Sequence, residues 1–228
     1  MKRVLKIFAL GAGIGILLLF VQQALQIPED TFLHYYWIFG AIVIVSAVLF
    51  NCLYIRAYKK KMTSVAALLE SGHPREYLAA VEALRRNVKG RYLNHVFTIN
   101  LSAGYCDLHE YKKAIELLEG VSNLRLYKVL RMVRQLNLCA CYFYDCQPEK
   151  ALALYQESLG IFRHFRGRAP YGGNIAVLDV FAAIEKGDLD QADVLLKTAR
   201  ETWNSPRLQD DYQALDERIR HEHDKNQA

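Results

Sequence analysis

Residues 101–120 read LSAGYCDLHEYKKAIELLEG, and this stretch decides the fold. Leu101 and Tyr105 stand four apart, so they share one helix face. Asp107-Leu108-His109 interrupts that pattern. A second stripe then starts at Tyr111 and continues through Ala114, Ile115 and Leu118. The spacing predicts helix, turn, helix. Ala114 falls where a methyl-sized side chain lets one helix cross its neighbour closely.

Working outward, YLAAVEAL (77–84), PEKALALY (148–155) and LDQADVLL (189–196) align with YKKAIELL (111–118). The fourth position is alanine each time: Ala80, Ala114, Ala151 and Ala192. The intervals are 34, 37 and 41 residues. Four residues further on come Leu84, Leu118, Tyr155 and Leu196. Tyr105 and Tyr142 precede the second and third alanines by nine, with Leu101 and Leu138 four earlier still. Breaks at Ser71 to Pro74, Lys89-Gly90, Asp107 to His109, Gln147-Pro148, Gly167 to Gly173, Lys186 to Asp188 and Asn204 to Pro206 leave helices of about 11–20 residues. No strand-like alternation occurs. The expected class is all-α, with residues 57–203 forming four helix–turn–helix units.

The four units resemble the tetratricopeptide repeat (TPR) family. Its pattern places a large residue and a tyrosine on the first helix and an alanine at the crossing on the second. The resemblance implies an α-solenoid whose first helices line a peptide-binding groove. Asn87 and Val121 replace the small residue of the pattern, Asp179 stands where a large residue is expected, and the unit-ending proline is missing. A non-repeating helical bundle is the alternative. By the resemblance, the groove positions are Val96, Ile99, Ala103, Val133, Leu136, Ala140, Phe143 and Tyr144. They are mainly apolar, and the Lys and Asn clamp for a C-terminal carboxylate is absent. The implied partner is a helical or apolar segment of another protein. Residues 204–228 read as a capping helix with Ser205 as N-cap, Pro206 at N1, and Leu208, Tyr212, Leu215 and Ile219 in one stripe. The tail HEHDKNQA is expected to fray.

The N-terminal quarter follows different rules. Between residues 7 and 55 the charged residues are Glu29 and Asp30 alone. Two apolar runs, about 5–26 and 37–55, predict a transmembrane hairpin over residues 1–56. The second run, WIFGAIVIVSAVLFNCLYI, is about 28 Å long as a helix, against about 30 Å of hydrocarbon. A cleaved signal peptide is the rival for the first run, but no A-x-A site follows it. Lys2, Arg3 and Lys6 flank the first run. Arg56, Lys59, Lys60 and Lys61 flank the second, and the connecting segment Pro28 to Tyr36 has no Lys or Arg. The positive-inside rule puts both termini in the cytoplasm. Gly11-x-x-x-Gly15 suits close helix packing, on the second span or on another protein. No glycine or proline separates Gly40 from Gly72, so one helix is expected from about Tyr36 to Glu70.

A net charge of +5 is too small to imply nucleic acid. Arg125, Lys128, Arg131 and Arg134 recur every three residues, and Arg163, Arg166 and Arg168 fill the connection before Pro170. These are expected to meet anionic lipid headgroups or an acidic partner. Cys139 and Cys141 are two apart on a helix and point in opposed directions, so they cannot share a metal. His221 and His223 do not share a helical face. No nucleophile–base pair stands out. The expected function is a non-catalytic, membrane-anchored interaction scaffold, with a regulatory or assembly subunit of a membrane complex as the rival. No cofactor, metal, nucleic acid or small-molecule substrate is expected.

Overall fold

The computed structural model describes residues 2–121 and 127–227, with side chains described from Gly11 to Lys225 outside Ala12 and the 122–126 gap. All regular structure among them is helical. The helices are α1 (Lys2–Ala24), α2 (Glu29–Glu70), α3 (Pro74–Arg86), α4 (Arg91–Asp107), α5 (Tyr111–Glu119), α6 (Lys128–Tyr144), α7 (Pro148–Phe162), α8 (Gly172–Ile184), α9 (Leu189–Thr202) and α10 (Gln209–Gln227). The chain divides into two compact units, residues 1–60 and 61–228.

In the first unit, α2 is the helix among the described residues that is long and apolar enough to cross a membrane. Between Leu33 and Leu53 its apolar side chains are exposed on every side, Phe39, Ile44 and Phe50 among them, whereas Met62 and Leu69 near its end are buried. The expected two-span hairpin therefore reduces to one candidate span among the described residues. The described apolar stretch of α1, Gly13–Ala24, is shorter than a bilayer needs. Side chains of residues 5–10 lie outside the described set. A Cβ on Gly11, Gly13 or Gly15 would meet no atom within 4 Å, so these glycines do not pack against the second apolar run.

The connection expected at Pro28 to Tyr36 is shorter than its sequence suggested, because α2 begins at Glu29. Nothing after Pro28 breaks a helix, and Glu29 and Asp30 in the first turn complement the positive end of the helix dipole. α2 then runs unbroken to Glu70, where Gly72 adopts φ 77° and Pro74 opens α3.

The second unit is built by consecutive antiparallel helices on short turns. Each of α3 to α9 packs on its successor, and α4 on α6, α6 on α8 and α8 on α10 also touch. A continuous core runs from Ile99 to Ile219. Ala114, Ala151 and Ala192 are wholly buried at the crossings, while Ala80 is half-buried. At the α3–α4 crossing a glycine takes that part: a Cβ on Gly104 would lie 2.7 Å from Leu78 Cδ2. Tyr77 crosses the same contact and donates to the Asn100 carbonyl at 3.1 Å.

The C-terminus departs from expectation in two ways. Pro206–Leu208 forms a 3-10 turn and Ser205 makes no side-chain cap, so α10 starts at Gln209. The tail does not fray either, since α10 runs to Gln227. Arg220–Asp216 and Lys225–Glu222 pairs lie along it, spaced four and three apart. Leu208, Tyr212, Leu215 and Ile219 are buried as one stripe.

Candidate functional site

α8 is apolar almost throughout, so a carboxylate in its middle requires partners. Asp179 is 7% exposed. Arg166, from the connection after α7, reaches it with Nη1 at 2.5 Å and Nη2 at 2.9 Å. Tyr155, from α7, donates its hydroxyl at 2.5 Å. Burial pushes the Asp179 carboxyl above its ordinary value, opposed by the Tyr155 hydroxyl and the Arg166 guanidinium. Burial, reinforced by Asp179, also pushes the Tyr155 hydroxyl up. A shallow cleft of about 220 Å³ opens beside the trio, with Lys186, Asp188 and Gln191 on its wall. Both carboxylate oxygens already accept bonds from within the chain. The trio therefore acts as a lock that fastens the 163–171 connection to α8. The departure of Asp179 from the repeat pattern was its one trace in the sequence. Arg166 and Tyr155 were not foreseeable as its partners.

A second polar cluster joins the end of the chain to its middle. The Tyr144 hydroxyl donates to Asp211. Arg207 Nη2 bonds both oxygens of Asp107, each at 3.1 Å, across 100 residues of sequence. Tyr111 stacks on Tyr144 at 5.3 Å, and the Cys106 and Cys141 thiols lie beside them. Burial pushes the Asp107 and Asp211 carboxyls upward, and the neighbouring Cys141 thiol, then burial, holds the Cys106 thiol well above its ordinary value.

This cluster bears on the expected groove. Ile99, Leu136 and Phe143 are buried core residues, and Phe143 stacks on Phe181 at 4.9 Å. Tyr144 is held by the start of α10. These four do not present a free surface, because the row of first helices packs on itself and the C-terminal segment covers its end. Val96, Ala103, Val133 and Ala140 remain half-buried.

The expected basic stripe divides in the same way. Arg125 lies outside the described residues. Lys128 and Arg131 are exposed, but Arg134 is 7% exposed and donates Nε to the Leu118 carbonyl at 2.7 Å. The reason is rotational: a spacing of three falls about 60° short of a full turn at each step, so the stripe winds into the core. Arg163 and Arg168 are exposed, whereas Arg166 is committed to Asp179. Cys139 and Cys141 are fully buried on opposite sides of α6, Cys139 with its Sγ 4.0 Å from the Ala151 carbonyl of α7. Among the described residues no group of three or more metal-ligating side chains gathers.

A feature not visible from single motifs concerns one edge of this unit. Residues 83–106, 120–144 and 158–178 contain no Asp or Glu. Each stretch begins near the end of α3, α5 or α7; the first two run on to Cys106 in α4 and to the end of α6, and the third covers the first half of α8, up to Asp179. Because successive helices are antiparallel, the starts of α4, α6 and α8 share an edge, and the rings of Tyr92 and Tyr127 meet there at 5.2 Å. A cleft of about 330 Å³ opens on it, lined by Glu82, Arg85, Arg86 and Asn94. No protein-family model matches the chain, and no curated protein matches it.

Proposed function

We propose that this chain is a membrane-anchored, non-catalytic scaffold that holds a protein partner at the cytoplasmic face of a membrane. Its anchor is a hairpin of two spans, about 5–26 and 37–55, with both termini in the cytoplasm. Its partner-binding part is a TPR-like solenoid of four units over 57–203, closed by the 204–228 helix. The observation that carries the reading is the packing order: antiparallel helices in succession, with α4, α6 and α8 also touching in a row. That order and the buried Ala114, Ala151 and Ala192 are what the repeat resemblance implies. The partner surface contracts to Val96, Ala103, Val133 and Ala140, and it suits an apolar helical segment.

The rival reading, a subunit of a membrane complex, is favoured by one observation. A Cβ on Gly11, Gly13 or Gly15 meets nothing within 4 Å among the described residues, as on a face reserved for another membrane helix. Affinity capture of the full chain from detergent separates the two. Under the scaffold reading, Val133→Arg with Ala140→Arg loses the principal partner, and Gly11→Leu with Gly15→Leu keeps it. The opposite result establishes the membrane subunit. The topology has its own check. A membrane-impermeant thiol reagent should label Asp30→Cys from outside intact cells and should reach Cys146 only after permeabilisation. Labelling of Cys146 in intact cells contradicts the orientation.

A further inference from the structure

We infer that the edge formed by the starts of α4, α6 and α8 docks on an anionic phospholipid surface. The inference rests on the membrane-anchor reading above and adds a second contact with lipid. Three observations meet there. The first is charge. Arg85, Arg86, Lys89 and Arg91 join α3 to α4, Lys128 and Arg131 open α6, and the acid-free stretches leave almost no carboxylate among them. All but Arg85 are exposed, and Arg85 is fixed by donating Nε to Asn94 at 3.0 Å. Arg163 and Arg168 continue the series before α8. The opposite edge mixes Asp107, Glu110, Asp145, Glu149, Asp188 and Asp190 with Arg75, Lys112, Lys113 and Lys150, so the excess of cations belongs to the first edge.

The second observation separates lipid from a merely acidic protein. Tyr127 is 71% exposed and Val129 45%. Among described residues after Lys61, Val194 is the other large apolar side chain that is exposed. A tyrosine and a valine standing out between cations match the headgroup boundary, where aromatic rings sit at the polar level and cations meet phosphate. The third is the cleft lined by Arg85, Arg86, Asn94 and Glu82, which has room for a phosphate group and carries two cations against one carboxylate.

The test uses the full chain in nanodiscs of phosphatidylcholine, alone or with about one-third phosphatidylglycerol, followed by amide hydrogen exchange. Exchange of residues 85–92 and 127–131 should slow by about threefold or more in the anionic discs. That protection should fall as salt rises from about 0.05 M to about 0.3 M. The variant Arg86→Glu, Arg91→Glu, Lys128→Glu, Arg131→Glu should lose it. A matched variant of the other edge, Arg75→Glu, Lys112→Glu, Lys113→Glu, Lys150→Glu, should keep it. Should the first variant misfold by circular dichroism, the salt dependence of the unaltered chain decides. Equal exchange in both discs overturns the inference. So does protection by soluble polyglutamate in neutral discs without protection by anionic lipid, which would assign the edge to an acidic protein. A chain that fails to enter discs at all overturns the anchor reading and this inference with it.

Discussion

The stretch of α2 from Leu33 to Ile55 and α8 are both apolar on nearly every side, and they meet opposite fates. In α8 nearly every side chain is buried, with Ile175, Leu178 and Val180 fully enclosed. In α2 the apolar side chains between Leu33 and Leu53 are exposed, and none of the described residues covers them. Composition alone does not distinguish the two, since an all-round apolar helix is either a core helix or a membrane span. Length does. Thirteen residues of α8 reach about 20 Å, less than a bilayer, whereas α2 has 42. A helix of the first kind needs neighbours on all sides. One of the second kind is long and apolar enough to cross a bilayer.

A lysine in each helix breaks this comparison most severely. Val180→Lys places an unpaired charge in a filled core and should cost roughly 4 kcal/mol or more, abolishing the cooperative melt of the second unit. Ile44→Lys should leave that melt unchanged and instead make the protein extractable by alkaline carbonate, at an insertion cost of about 3 kcal/mol.

Next comes a glycine in each. A Cβ on Gly172 would lie 2.1 Å from the Trp203 ring and 2.4 Å from the Arg166 carbonyl, while one on Gly40 meets nothing within 4 Å. Gly172→Ala should cost about 3 kcal/mol by overpacking, and Gly40→Ala should leave thermal unfolding unchanged. Equal melts for the two variants would mean that α8 does not seat on Trp203.

The polar interruption of α8 offers a smaller and pH-dependent effect. Arg166→Met leaves Asp179 buried with one donor and should cost about 2 kcal/mol near pH 8, a value reduced because Arg166 is itself well exposed. The folded-state pKa of Asp179 is raised, so its proton is held more tightly in the folded chain than in the unfolded one. Stability from that group is therefore full at low pH and declines as pH rises through the folded value. Losing Arg166 pushes that value higher still. The penalty should fade on acidification from pH 8 towards pH 5, and Arg166→Met with Asp179→Leu should restore much of the stability. A penalty that grows on acidification contradicts this account.

The smallest effect is chemical. Cys146 is exposed, while Cys139 and Cys141 are buried, and burial pushes the Cys139 thiol up. Alkylation of the folded protein at neutral pH should modify Cys146 well before Cys139 or Cys141. Mass spectrometry of the peptides would read the order.

What was legible in the sequence was mostly local. Gly72, Pro74, Gly90, Pro148 and Gly187 mark helix ends because each acts through its own backbone. Ala114, Ala151 and Ala192 are legible because the pattern repeats. Gly104 and Gly172 are different. Each is small because a distant residue, Leu78 or Trp203, presses on it, and nothing nearby announces the pressure. The same holds for Arg134 and Arg166. As a linear string they belong to basic runs, but helix rotation turns one inward and Asp179 captures the other. Ile99, Leu136 and Phe143 are buried for the same reason, since a position on an inner face becomes core once the neighbouring helix arrives.

The bond from Arg207 to Asp107 changes how the second unit comes apart. A row of helices that touch only near neighbours has two loose ends, and each end can peel away while the middle stands. Here the strand of chain leading into α10 returns to the end of α4, with Tyr144 and Asp211 fastened on the way. The last helix cannot lift without letting go of the middle of the row. A zipper with its slider hooked to a central tooth tends to open all at once or stay shut.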